Sequence, residues 1–209
     1  MNYKNILDFS NKNVLITGGA GSLGSEFARA FASCGANIII SDINGIKASE
    51  ILDECRSYGV KANFLPCDLR SVDSIKKMVS DAINLEGKID ILCNHAGFNI
   101  RKPAVEYTEE EWDALMEVDL KAIFFVATEV GKHMISNRAG KIINTASVSA
   151  VRGHKNLSIY ASAKGGILQL TKVLAHEWAE YEVNVNAIGP GYFVTRQTKE
   201  YLNEPETKK

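Results

Sequence analysis

Six short runs of branched apolar residues alternate with longer amphipathic stretches, and this alternation constrains the fold more than any other feature of the 209-residue chain. The runs are Asn13–Thr17, Asn37–Ser41, Lys61–Pro66, Ile89–Cys93, Lys141–Thr145 and Glu182–Ala187. Most are continuous in Val, Ile and Leu instead of alternating with polar residues, the pattern of strands covered on both faces. Between them the apolar positions shift to helical spacing, as in Leu23, Phe27, Ala30, Phe31 and Cys34. Ile75, Met78, Val79 and Ala82 do the same behind Ser71, a residue suited to cap a helix. Thr108 and Glu111 have capping-box spacing ahead of Trp112, Leu115 and Met116. A long apolar helix is expected from about Tyr160 to about Tyr181. Strand and helix repeated in this way predict an α/β fold with a doubly wound parallel sheet. No repeat, low-complexity segment or linker divides the chain, so one domain over 1–209 is expected, frayed from about Asn203 onward.

Composition removes several classes. With 45% hydrophobic residues and a net charge of −1, the chain is not of the disordered type. That charge balance also argues against a nucleic-acid partner, because no basic surface is available to neutralise many phosphates. No apolar stretch reaches the roughly 18 residues of a membrane helix. The opening MNYKNILDFSNKN lacks the apolar core of a signal peptide, so a cytoplasmic location is expected. The four cysteines, Cys34, Cys55, Cys67 and Cys93, follow neither a zinc nor a CxxC pattern, and free thiols with no metal site are expected.

The first apolar run leads into Thr17-Gly18-Gly19-Ala20-Gly21-Ser22-Leu23-Gly24. Gly19, Gly21 and Gly24 fit G-x-G-x-x-G between a strand and a helix, the context in which this spacing binds a dinucleotide. Glycine allows the tight turn and the close approach of a pyrophosphate, and the helix N-terminus supplies free N–H groups. No Gly-Lys-Ser/Thr follows, which disfavours a nucleoside triphosphatase. Asp42 ends the second run, where a carboxylate accepts the ribose hydroxyls and repels a 2′-phosphate, favouring NAD over NADP. A plain turn-forming Asp is the alternative. Asp68, with Leu69 after the third run, is placed to meet the adenine or simply to approach the Ser71 cap.

Tyr160 and Lys164 stand four apart on one face of the long helix. Ser147 lies just past the fifth run, where open α/β sheets place their ligands. Asn94-His95-Ala96-Gly97 follows the fourth run and Pro190-Gly191 the sixth, so all these motifs fall at one edge of the sheet.

From Thr17 to Thr195 this constellation resembles the short-chain dehydrogenase/reductase family in its single-domain branch. The resemblance implies a Rossmann fold, a nicotinamide cofactor and a Ser-Tyr-Lys site, here Ser147, Tyr160 and Lys164. It places Gly18, Gly21, Ser22, Leu23, Gly24, Asp42, Asp68, Leu69, Asn94, Ala96, Gly97, Tyr160, Lys164, Pro190, Gly191 and Thr195 at the cofactor. The runs Asn99–Glu106 and Ser147–His154 are similar to the gluconate 5-dehydrogenase and 2-deoxygluconate 3-dehydrogenase subgroup, which implies a sugar-acid substrate. Tyr160 then serves as acid/base, and Ser147 orients the substrate oxygen. Lys164 is expected to draw the phenol's pKa down toward neutrality. Arg101 and His154 follow strand ends, where Arg101 either pairs with a substrate carboxylate or stands as a solvated loop residue, and His154 is placed to face the substrate. His95 is a polar replacement with no second metal ligand at suitable spacing. A homo-oligomer, dimer or tetramer, is expected through the helices that carry Phe124, Phe125, Leu168 and Leu170.

Two positions depart from the family pattern. Ser22 replaces a glycine of the usual Thr-Gly-x-x-x-Gly-x-Gly turn. Asp119 stands where the family has a catalytic Asn, and an ion pair with Lys164 is expected to weaken the pull of Lys164 on Tyr160. The resemblance also implies a chain of roughly 250 residues, above the single-domain prior. A seventh strand and most of a substrate lid are expected to be missing, leaving NAD affinity intact and catalysis impaired. Two other readings compete with a sugar-acid dehydrogenase. One is a 3-oxoacyl-thioester reductase, which prefers NADPH; the other is a weak or inactive NAD-binding remnant.

Overall fold

The structure, a computed structural model, describes residues 7–195 and 198. Six parallel strands, β1 (Asn13–Thr17), β2 (Asn37–Asp42), β3 (Ala62–Pro66), β4 (Ile91–Asn94), β5 (Gly140–Thr145) and β6 (Val183–Ile188), form one sheet in the order β3-β2-β1-β4-β5-β6. The order reverses between β1 and β4, and a crevice opens outside the carboxyl ends of the strands at such a point. The helices are α1 (Ser22–Ser33), α2 (Gly45–Ser57), α3 (Val72–Glu86), α4 (Glu109–Met116), α5 (Ala122–Ser136) and α6 (Ser158–Trp178).

The continuous apolar runs are explained by burial on both sides. Val14 and Ile16 of β1 pack with Ile38 and Ile40 of β2 against α1 and α2. Leu15 and Ile39 point the other way, into a core with Ile75, Met78, Val126 and Val130 of α3 and α5. At β6 the pattern changes to alternation, with Val183 and Val185 buried and Asn184 and Asn186 exposed. Among the described residues β6 pairs only with β5 and forms the edge of the sheet.

The helix ends follow local chemistry. Asn44, Ser71 and Thr108 each accept a hydrogen bond from the backbone three residues on, and Thr108 with Glu111 completes the capping box. One feature interrupts the helical run from Glu109 to Ser136. Glu117–Lys121 is a π-helical turn, closed by the Ala122 N–H donating to the Glu117 carbonyl, and it joins α4 to α5. Asp119 sits in this turn and is fully buried.

Candidate active site

A cleft of about 660 Å³ lies at the carboxyl edge of the sheet. Every strand end and the first turns of α6 contribute to its walls. At β1, Gly18 has φ +66°, and its N–H donates to the Ser41 carbonyl at 2.8 Å, folding the turn back over β2. Helix α1 then begins at Gly21 with no side-chain cap and no acidic residue in its first turn, unlike α2, α3 and α4, whose first turns are capped by Asn44, Ser71 and Thr108. Gly21, Ser22 and Leu23 line the cleft at this end. An uncapped helix start in a glycine turn is a built anion site, and it fits the diphosphate of a dinucleotide. Ser22, in place of the usual glycine, is exposed and creates no obstruction.

Gly24 has a different role from the one expected. It is buried behind the turn, where a Cβ would lie 2.3 Å from the Gly18 carbonyl oxygen and 2.9 Å from the Gly19 Cα. Its contribution is the close packing of helix on turn, not a wall of the cleft. Asn94 is also turned inward. Its amide donates to the Ile123 carbonyl at 2.8 Å and accepts from the Thr17 hydroxyl, and the residue is 1% exposed. It ties β1, β4 and α5 together beneath the site.

Asp42 lines the cleft at the end of β2. Its Oδ2 accepts from the Ala20 N–H at 3.1 Å, and its Oδ1 accepts from the Ile43 N–H at 2.8 Å. A carboxylate has about four acceptor positions, so capacity remains for a ribose hydroxyl. Asp68 and Leu69 also line the cleft, with Asp68 held by the Arg70 guanidinium, which keeps its carboxyl below the usual range. Ala96, Gly97, Pro190, Gly191 and Thr195 form the opposite wall. The loop after β6 is pinned to the loop after β5, with the Val148 N–H donating to the Pro190 carbonyl at 3.1 Å.

Ser147, Tyr160 and Lys164 converge on the cleft as the sequence pattern predicts. Ser147 is extended, and its Oγ accepts from the Ser149 N–H at 3.1 Å. The Lys164 Nζ donates to the Thr145 carbonyl at 3.0 Å and lies 5.5 Å from the centre of the Tyr160 ring. It is 3.6 Å from Asp119 Oδ2, an ion pair too long for a hydrogen bond, so that oxygen has no hydrogen-bond partner. Asp119 Oδ1 accepts from the Phe98 N–H at 2.9 Å. Gly97 passes close to this pair, and a Cβ there would lie 3.0 Å from Oδ1 and 3.2 Å from Nζ.

The electrostatics overturn one expectation. Burial pushes the Tyr160 phenol up; the Ser147 hydroxyl pulls against that rise, and Asp119 adds to it. The carboxylate beside Lys164 opposes the pull of its charge on the phenol, and the net direction for Tyr160 is upward, not toward neutrality. Burial pushes Asp119 up and Lys164 down, each toward its neutral form, while their mutual attraction opposes both shifts.

Arg101 and His154 do not reach the cleft wall. The Arg101 Nη1 donates to the Lys155 carbonyl at 3.4 Å, and His154 Nδ1 pairs with the Ser149 hydroxyl at 3.0 Å while its ring meets Tyr192 edge to face. They join the loops at the mouth of the site. His95 and Thr145, absent from the expected site, do line the cleft. The rule that strand ends carry ligand sites applies to Thr145, the last residue of β5. Cys93 is buried with its thiol pushed up to about 12 by desolvation, which makes it inert packing. Among the described residues no group of three or more His, Cys, Asp or Glu is arranged to hold a metal, and no helix is long and apolar enough to cross a membrane.

A family model for short chain dehydrogenases matches residues 12–206. The 2-dehydro-3-deoxy-D-gluconate 5-dehydrogenase of Escherichia coli K12 is 35% identical over 190 residues, 90% of this chain and 74% of that protein. The crystal structure of a gluconate 5-dehydrogenase from Burkholderia cenocepacia, in complex with NADP and tartrate, superposes with a TM-score of 0.92 at 32% identity, covering 99% of this chain and 81% of that one. An NAD+-bound xylitol dehydrogenase superposes with a TM-score of 0.86 at 33% identity, covering 88% of this chain and 71% of that one. With its fold, its cleft and these relatives in agreement, the chain belongs to the short-chain dehydrogenase family of NAD(P)-dependent oxidoreductases.

Proposed function

We propose that this protein interconverts a secondary alcohol and its ketone on a sugar acid of the gluconate type, with NAD as the preferred dinucleotide. The observation that carries the reading is the convergence of Ser147, Tyr160 and Lys164 on one cleft beside an uncapped helix start. The relatives named for gluconate-type substrates support the substrate class. Asp42 supports NAD, because a carboxylate at the ribose end repels a 2′-phosphate. Related structures hold either form, NADP in one and NAD+ in another, so the preference rests on Asp42.

In this reading Ser22 and Leu23 hold the diphosphate through their N–H groups, and Asp42 accepts from the adenosine ribose. Asp68 and Leu69 flank the adenine, while Ala96, Gly97, Pro190, Gly191 and Thr195 enclose the nicotinamide end. When bound, the nicotinamide ring supplies the hydride acceptor or donor. The Ser147 hydroxyl donates to the substrate oxygen and fixes its direction. The Tyr160 hydroxyl exchanges the proton of that oxygen. Lys164 orients the inner end of the site, and Asp119 balances its charge.

The test is a panel of sugar acids assayed with NADH, NADPH and their oxidised forms. Tyr160→Phe is expected to lower kcat by about 10²–10⁴-fold while dinucleotide binding, followed by nicotinamide fluorescence, is retained. Full turnover by that variant refutes the assignment.

The exposed side of α5 and α6 supports a second copy of the chain as partner. Phe124 is 41% and Val173 52% exposed beside a groove that Leu170 and Trp178 also line. Phe125, Leu168 and Leu170 instead pack partly into the protein's own cores. Sedimentation velocity checks the proposal, and a strictly monomeric protein at tens of micromolar rejects it. The free cysteines support a reducing compartment, and we place the protein in the cytoplasm.

A further inference from the structure

The inner end of the cleft carries a balanced pair of charges. Lys164 lines the cleft, and Asp119 is fully buried with its Oδ2 3.6 Å from the Lys164 Nζ. The two sum to zero whichever of them holds the proton. His95 beside them is uncharged at neutral pH, since burial, with Lys164 nearby, holds it down to about 4. The other charged groups on the cleft wall, Asp42, Lys47, Asp68 and Arg70, lie at or beyond the ends of β2 and β3. Hydrogen bonding does not explain the carboxylate. Its Oδ1 accepts from the Phe98 N–H at 2.9 Å, a bond that an amide oxygen makes equally well, and its Oδ2 has no hydrogen-bond partner. What the carboxylate adds is the charge that balances Lys164. Gly97 shows where that balance is felt. It is exposed on the cleft wall, and a Cβ on it would lie 3.0 Å from Oδ1, 3.2 Å from Oδ2 and 3.2 Å from the Lys164 Nζ. Both signs stand equally near, so the field of the ammonium is largely cancelled at this wall.

We propose that Asp119 is a specificity-determining residue for the oxidation state of the dinucleotide: it balances Lys164 beside Gly97 and so admits the oxidised form, whose nicotinamide ring carries a positive charge. The reduced form is neutral at that ring and is indifferent to the balance. With an amide at position 119, the Lys164 ammonium keeps the Thr145 carbonyl but stands alone at the inner end, and it repels a cationic ring. The two forms share every other charge, so the groups at the ends of β2 and β3 act on both alike.

The inference rests on the reading in which Gly97 helps to enclose the nicotinamide end, and its test needs no substrate. NADH binding is followed by nicotinamide fluorescence and NAD+ binding by displacement of NADH, at pH 6 and pH 8, with the phosphorylated pair used instead if it binds more tightly. In Asp119→Asn the ratio of the NAD+ to the NADH dissociation constant is expected to rise about tenfold over the wild type, with NADH affinity intact. The double variant Asp119→Asn/Lys164→Met has neither charge. Its ratio is expected to return to the wild-type value, whatever both forms lose with the lysine. A merely structural role moves both constants by one factor, so a ratio unchanged at both pH values overturns the proposal. So does a raised ratio that persists in the double variant, because the ammonium is then not its cause. Should Asp119→Asn not fold, Asp119→Ser, which removes the carboxylate with a smaller side chain, must show the same rise, and a wild-type ratio in that variant is equally fatal. If the wild type binds neither dinucleotide, the reading of the cleft itself fails and takes this proposal with it.

Discussion

Asp119→Asn removes one negative charge from the driest part of the site and nearly preserves the shape of the side chain. At 3.6 Å from Lys164 Nζ, the carboxylate is worth ~4.6 kcal/mol to that ammonium at an effective dielectric of about 20. The ammonium lies 5.5 Å from the centre of the Tyr160 ring, where its field on a phenolate is worth ~3 kcal/mol by the same reckoning. If the carboxylate cancels half of that field, the phenolate loses ~1.5 kcal/mol, roughly tenfold in rate. The Asn variant keeps the acceptor for the Phe98 N–H, and Lys164 keeps the Thr145 carbonyl. Two effects then compete. The field of Lys164 reaches Tyr160 uncancelled, but burial, which already pushes the ammonium down, meets less resistance. The Thr145 bond favours the charged amine, so the first effect is expected to win. The assay is alcohol oxidation under saturating substrate from pH 6 to 10. The kcat of Asp119→Asn is expected to exceed that of the wild type about tenfold near neutrality, with the acid limb moved to lower pH. An unchanged or reduced kcat at intact dinucleotide affinity refutes the reasoning, and shows that Lys164 loses its proton once its counter-ion is gone.

Three further outcomes are expected. Asp42→Asn removes the charge and keeps one oxygen, enough for either the Ala20 or the Ile43 N–H but not both, and the ratio of NADP to NAD affinity, read by fluorescence titration, rises by about tenfold. Gly24→Ala drives a methyl group into the Gly18 carbonyl and the Gly19 backbone, neither of which is a flexible end, so urea denaturation shows a loss of about 2–3 kcal/mol with weakened dinucleotide binding. His95 contributes a pH dependence of stability. Its folded value of about 4 lies below the ordinary 6.5, so from pH 6.5 down to 4 the unfolded chain binds the extra proton and stability falls, by ~3 kcal/mol in all. Above pH 6.5 this contribution is fully present, and in His95→Asn that part of the acid limb is flat.

What the sequence showed plainly was local or periodic. Ser71 and the Thr108–Glu111 box cap the helices they precede, because a cap is decided within four residues. The continuous apolar runs became strands buried on both faces, and the change to alternation at Val183–Ile188 falls on the strand that is outermost among the described residues. The glycine turn and the Ser147, Tyr160 and Lys164 positions came together because each lies at a strand end or one helical turn apart. Directions of side chains at strand ends were not legible. Asn94, at the end of β4, points beneath the site, whereas Thr145, at the end of β5, lines the cleft. Nor do spacings tell whether a loop cation such as Arg101 faces inward or ties its neighbour, as its bond to the Lys155 carbonyl shows it does.

The buried pair is a harder case, and it was within reach of the sequence by a different route. Leu115, Asp119, Ile123 and Val126 fall on one apolar helical stripe, and Asp119 is the single charge that interrupts it. Ala163, Lys164, Ile167, Thr171 and Leu174 form another stripe on α6, interrupted by a single lysine. A carboxylate buried alone is too costly to keep ionised, and so is an ammonium, so each stripe requires a partner of opposite sign. Only one buried residue of each kind is found among the described residues, and the two meet at 3.6 Å. The π-helical turn is what the stripe alone does not reveal. It widens the backbone at Asp119 so that Oδ1 takes the Phe98 N–H while Oδ2 remains free to face the ammonium. Without Asp119, the Lys164 ammonium keeps the Thr145 carbonyl as its acceptor, whereas Asp119 without Lys164 keeps only the Phe98 N–H. The pH behaviour of Tyr160 therefore depends on the packing of α5 against the sheet as much as on the residues that touch the phenol.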